Sequence, residues 1–126
     1  EFELRRKRGA HLFSKHRYLA AQMQSYLEDD LWLNLAQKAN HSCAKLVKGL
    51  KKNSEVQLDF EPAANMIFAR WTRESHQRLH AAGAQYYVLA GDYTTGHKSE
   101  MLAARLVTDW SISDQAINKF LDILSS

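Results

Sequence analysis

The chain has little cysteine, proline or glycine, and it has no long apolar run. Cys43 is the single cysteine among 126 residues, so no disulfide can form within the chain. That usage suits a reducing compartment, and the cytoplasm is the expected location. One proline and five glycines argue against disorder or a long linker. No apolar run is long enough to span a bilayer, so no membrane partner is expected. The sequence opens Glu1-Phe2-Glu3 and turns basic without an apolar core region, so it shows no secretory signal. It also carries no glycine-rich phosphate loop, no internal repeat and no obvious catalytic carboxylate pair. No serine lies in the strand–turn–helix setting of an activated nucleophile.

What is present suits one globular domain with a real core. Hydrophobic residues make up 45% and charged residues 25%. The net charge of +3 is uneven: residues 1–17 hold Arg5, Arg6, Lys7, Arg8, Lys15 and Arg17 against Glu1 and Glu3, a local +4. The remainder holds eleven basic and twelve acidic groups, a net of −1. The basicity is therefore a local arm, and no domain-wide nucleic-acid footprint is expected.

The pattern predicts two or three helices, two strands, a helix, two strands and a helix. Glu1 to Arg8 reads as a helix closed by Gly9. Leu12 to Leu27 reads as helical, with Leu19, Met23 and Tyr26 on one face. Asp29-Asp30 sits where a helix can restart with acids in its first turn. The next helix carries Leu31, Leu35, Ala39, Leu46 and Leu50 on one stripe, with Ala36 and Cys43 beside it. Lys45, Lys48, Lys51 and Lys52 gather near its C-terminus, where they suit the helix dipole. From Glu55 the period becomes two, with Val56, Leu58 and Phe60 pointing one way. Met66–Trp71, Gln85–Ala90 and Leu102–Trp110 are the other expected strands. Thr72 can cap a helix that ends at Gly83, and Ser113 can cap a last one carrying Ile117, Phe120, Leu121 and Leu124. The β-β-α-β-β-α tail predicts an α+β fold, a small and mainly antiparallel sheet with helices on one face. Residues 1–30 read as a helical arm, and 31–126 as the body.

Few residues suggest chemistry. Arg105 is the one charge between apolar neighbours in Met101–Trp110, and its guanidinium cannot be deprotonated. It should meet an anion, best a carboxylate gripped by both arms of the fork. Asp109 or Glu100 can supply that carboxylate as a structural ion pair, or a ligand can. The basic arm reads either as a solvated helix end or as an anion site. His76 and His80 have a zinc-compatible spacing of four, yet a third ligand is missing, so no metal is expected and they read as surface histidines. Cys43 reads as a small buried residue rather than a nucleophile. Asn65, opening a strand, reads as a side chain that satisfies nearby backbone.

The segment Arg6-Lys7-Arg8-Gly9-Ala10-His11-Leu12-Phe13-Ser14-Lys15-His16-Arg17-Tyr18-Leu19-Ala20-Ala21-Gln22-Met23 resembles the opening of the small domain of bacterial threonine aldolases. Ala64-Asn65-Met66-Ile67-Phe68-Ala69-Arg70 is similar to their first core strand there. Ala104-Arg105-Leu106-Val107-Thr108-Asp109-Trp110 resembles the strand that carries their substrate arginine. The three matches fall in family order and spacing. With the helix around Trp32 and the turn Gly83-Ala84-Gln85-Tyr86-Tyr87, the likeness covers essentially the whole chain.

The resemblance implies a C-terminal small domain, residues 1–126, of a fold type I lyase that uses pyridoxal phosphate. Such enzymes cleave β-hydroxy amino acids such as threonine to glycine and an aldehyde. The Schiff-base lysine of the family lies in a large domain that precedes the small one, and no lysine here stands in that setting. The resemblance therefore implies no catalytic residue in this stretch and an inactive chain on its own, with the cofactor in the complete enzyme. By the family pattern Arg105 binds the substrate carboxylate, and Lys7 and Lys15 lie near the active site or the cofactor phosphate. Some relatives place an arginine where Ser14 aligns, a departure that leaves Lys15 beside that position. A homo-oligomer is expected, with exchange of the N-terminal arm as one route. Two other readings stay open. One is a stand-alone module whose basic arm binds RNA or an acidic partner; the other is a different fold type I lyase or a transaminase-like relative.

Overall fold

The computed structural model describes residues 1–126. The chain divides into two compact units, Glu1–Asn34 and Leu35–Ser126. The first unit holds helix α1 (Phe2–Arg8), helix α2 (His16–Leu27) and a 3-10 turn at Glu28–Asp30. Neither helix has a buried residue. Gly9 closes α1, but with an ordinary φ of −79°. The left-handed residue that redirects the chain is Ala10, at φ 57°. Helix α2 begins at His16 rather than Leu12, and Leu19, Met23 and Tyr26 stay exposed. Asp29 and Asp30 both adopt positive φ, 50° and 56°. They form the turn before helix α3 (Leu31–Leu50) instead of its first turn, which contains no acid.

Helix α3 runs on into the second unit, where Ala39, Cys43, Leu46, Val47 and Leu50 are buried. That is the C-terminal part of the expected stripe with Val47 added; of its N-terminal part Leu31 and Ala36 are exposed and Leu35 is half-buried. The unit continues with strands β1 (Gln57–Leu58) and β2 (Met66–Thr72), helix α4 (Arg73–Ala81), strands β3 (Tyr87–Val88) and β4 (Met101–Val107), and helix α5 (Asp114–Leu124). The strands form one antiparallel sheet in the order β1-β2-β4-β3. The α+β architecture is thus the one the sequence predicts.

Alternation decides which side of the sheet is covered. Ile67, Ala69 and Trp71 of β2 and Ala104 and Leu106 of β4 join Cys43, Leu46, Val47 and Leu50 of α3, Leu79 of α4, and Ile117 and Leu124 of α5 in one core. The helices therefore cover one face, as an antiparallel sheet allows. The other face carries Met66, Phe68 and Arg70 of β2 and Arg105 and Val107 of β4. Thr72 and Ser113 cap α4 and α5, their hydroxyls accepting from the Ser75 and Ala116 amides. The chain leaves α4 through Gly83 at φ +92°. Asn65 donates to the Thr108 carbonyl at 2.7 Å, and the buried Thr108 hydroxyl donates to the Ala39 carbonyl at 2.9 Å. Asn65 therefore does satisfy backbone.

The two edge strands are shorter than alternation predicts. Phe60 does not join Val56 and Leu58, which pack against the core. Its ring lies 5.2 Å from Phe68, on the opposite side of the sheet. The β1 ladder ends one residue past Leu58, with the Asp59 amide donating to the Phe68 carbonyl at 3.0 Å.

Candidate functional site

Arg105 lies in β4, a central strand, and pairs with Phe68 of β2 on one side and Tyr87 of β3 on the other. The register places all three side chains on the uncovered face, since cross-strand partners share a face. The Arg105 guanidinium carbon stands 4.5 Å from the centre of the Tyr87 ring, over its face. Its Nε is shut away from water and has no hydrogen-bond partner. Neither expected internal carboxylate reaches it. Glu100 pairs with Arg73 instead. One Asp109 oxygen accepts from the Ser111 amide and hydroxyl at 2.8 and 2.9 Å and from the Ile112 amide at 3.0 Å. Those bonds, the Ser111 amide foremost, hold the Asp109 carboxyl below its usual pKa. The structural ion pair for Arg105 is therefore absent. Beside it lies a groove of about 510 Å³, lined also by Tyr87, Tyr86, His80 and Val107.

Lys7 and Lys15 belong to the first unit, and Arg105 to the second. Lys7 sits in the basic last turn of α1 and Lys15 at the N-cap of α2. Neither forms an ion pair; in the arm only Arg5 pairs, with Glu1. The start of α2 has no side-chain cap and no acid in its first turn. Its free backbone donors, with Lys15 and Arg17 beside them, suit an anion.

His76 and His80 are not surface residues on a solvated face. His76 is fully buried and lies 4.9 Å from the Trp71 ring in a stacked arrangement. Its Nε2 faces the Leu102 carbonyl at 3.1 Å and its Nδ1 the Tyr86 hydroxyl at 2.9 Å. The carbonyl can only accept, so Nε2 carries the proton and Nδ1 accepts from Tyr86. His80 stacks between Tyr86 and Tyr93 at 4.5 and 4.2 Å. Burial lowers both histidine pKa values, partly opposed by the Leu102 carbonyl at His76 and the Ala84 backbone at His80. Burial likewise raises the Tyr86 phenol above its usual range and raises the Cys43 thiol. Cys43 is a small core residue, as expected.

Two residues that sequence reasoning missed stand out. Arg73 is buried, pairs with Glu100 and donates from Nε to the His97 carbonyl at 3.2 Å. Its partners follow more than twenty residues later, so no local pattern announces them. Tyr87 becomes a neighbour of Arg105 only through the β3–β4 register.

No family profile matches the chain. It is 36% identical over 93 residues to a low specificity L-threonine aldolase of Pseudomonas aeruginosa, a match covering 73% of the chain and 27% of that enzyme. It is 35% identical over 92 residues to another enzyme of that name from a Pseudomonas species, covering 72% and 26%. The solved structure of Leishmania major threonine aldolase superposes with a TM-score of 0.69 at 21% identity, over 82% of this chain and 28% of that one. The last likeness concerns the fold alone. The chain is a relative of the threonine aldolases, and it spans about a quarter of the length of the curated relatives it matches.

Proposed function

We propose that residues 1–126 form the C-terminal small domain of a pyridoxal-phosphate-dependent, threonine-aldolase-like lyase, and that Arg105 binds the substrate carboxylate there. The complete enzyme cleaves a β-hydroxy amino acid such as threonine to glycine and an aldehyde. The observation that carries this reading is the Arg105 fork: a strand-borne guanidinium with no carboxylate of its own chain and an unpartnered Nε. A planar fork is matched by two carboxylate oxygens in parallel hydrogen bonds. Held at both oxygens, the substrate has its α-carbon fixed relative to the sheet, which is the positioning that such a reaction needs.

Pyridoxal phosphate, when bound, supplies the electron sink for Cα–Cβ cleavage. The donor set of the basic arm fits its phosphate: Lys7 is unpaired, and Lys15 stands at a helix start with free amides and no acid. We assign Lys7 and Lys15 to the edge of the active site or to that phosphate. Residues 1–126 alone are expected to position a carboxylate and to catalyse nothing. The buried, lone Cys43 fits a cytoplasmic enzyme.

The test is steady-state kinetics of the complete enzyme with Arg105→Lys and Arg105→Ala. The lysine keeps the charge and loses the fork. A charge-assisted pair lost in the bound state corresponds to roughly a 10- to 100-fold rise in KM for threonine. Normal kinetics in either variant would exclude the assignment.

A further inference from the structure

We propose that Tyr87 is a positioning residue for Arg105, its ring face holding the guanidinium so that the N–H donors stay free for a carboxylate. This inference rests on the reading of Arg105 given above. An arginine side chain is long and rich in rotamers, and something must hold its end in place before a ligand arrives. Within the chain, no carboxylate pairs with Arg105 and no acceptor meets its Nε. What meets the guanidinium is the Tyr87 ring, 4.5 Å from centroid to carbon.

A ring face attracts a cation through its quadrupole, perpendicular to the ring plane. The N–H bonds of a guanidinium lie in its own plane. Contact with a ring therefore fixes the cation without consuming its donors, which a carboxylate of the chain would consume. The backbone that carries the ring is fixed by the sheet. Tyr87 and Val88 pair with Arg105 and Ala104, and the Leu89 amide extends the pairing by donating to the Ala103 carbonyl at 2.8 Å. Phe68 borders Arg105 from the other strand and is backed by Phe60. The arginine thus rises between two aromatic side chains. The Tyr87 hydroxyl makes no hydrogen bond within the chain, so the ring alone should suffice. Tyr87 is also 67% exposed, so replacing it leaves the core untouched.

The test is a titration of the isotope-labelled protein with acetate, read by NMR on the Arg105 Nε–H and Cδ–H signals. In the wild type and in Tyr87→Phe, the Cδ–H signals should be displaced upfield by the ring, and acetate should bind equally. In Tyr87→Leu the displacement should shrink, with only Phe68 left beside the arginine, and acetate affinity should fall about two- to fivefold, the range of an exposed cation–π contact. The leucine keeps apolar bulk without a π face. Tyr87→Leu binding acetate like the wild type, or Tyr87→Phe binding as weakly as Tyr87→Leu, would overturn the proposal. Arg105→Lys separates the two ideas. If it binds acetate as the wild type does, or if the wild type binds none, the carboxylate reading falls and the proposal with it. If Arg105→Lys loses binding while Tyr87→Leu keeps it, only the role of Tyr87 falls.

Discussion

His76 donates from one ring nitrogen and accepts at the other, so a second proton would put a charge in the core. It would also turn the Tyr86 hydroxyl from donor to acceptor. His80, stacked between two tyrosines with its Nε2 unpartnered, meets the same difficulty. Both pKa values lie below the ordinary 6.5, so below that pH the unfolded chain binds more protons than the folded one. Their contribution is present above about pH 6.5 and drains away as pH falls toward the folded values. Urea midpoints measured from pH 8 to 5 should decline in the lower half of that range. The depressed carboxyls, Glu74, Asp92 and Asp109, start from 4.5 or 3.8 and act below that window. A flat profile would contradict the neutral, buried state of these histidines. A second residue-scale expectation concerns Gly96. It sits at φ +119°, and an added Cβ would lie 2.7 Å from an Arg73 nitrogen. The guanidinium is pinned by Glu100 and the His97 carbonyl and cannot yield. Gly96→Ala should cost about 1–3 kcal/mol of unfolding free energy, measured in urea.

At the scale of elements, local chemistry set the starts of α4 and α5, and pairing set the strand lengths. Thr72 and Ser113 were legible as caps because a cap needs only a side-chain oxygen three residues before an amide. Thr72→Ala should cost about 1 kcal/mol in thermal or urea unfolding, and a neutral result would remove the cap from the account of α4. The Gln85–Ala90 and Glu55–Phe60 strands were legible as existing but not in extent. An edge strand lasts only while its partner offers backbone groups in register, and that depends on residues far along the chain. Phe60 shows the limit: its alternation pointed to the core, and the Phe68 ring on the other face captured it. The Asp29-Asp30 turn shows another, because two left-handed aspartates look in sequence like an acidic first turn.

For the whole molecule, the question is where exposed apolar surface goes. Phe60, Met66, Tyr87, Leu89 and Val107 of the second unit are all exposed. In the first unit Phe2, Leu4, Leu12, Phe13, Tyr18, Leu19, Met23 and Leu27 are exposed too. Apolar surface on this scale favours association. We expect the chain to self-associate as concentration rises, with exchange of the N-terminal arm as one route. Light scattering that reports a clean monomer at high concentration would count against this. No helix is long and apolar enough to cross a membrane. RNA binding that weakens steeply with salt would favour the basic-arm module over the lyase reading.

By itself the sequence determined the α+β class, the order of elements, both caps, the C-terminal part of the α3 stripe and the isolation of Arg105 among apolar neighbours. Each of these follows from residues within a few positions of one another, through helical or strand period and local hydrogen bonding. Only the tertiary structure decided that Arg105 meets Tyr87 and no carboxylate, that His76 is a core residue, and that Arg73 is buried against Glu100. Those outcomes depend on sheet register and on partners ten to thirty residues away, and no local pattern carries that information.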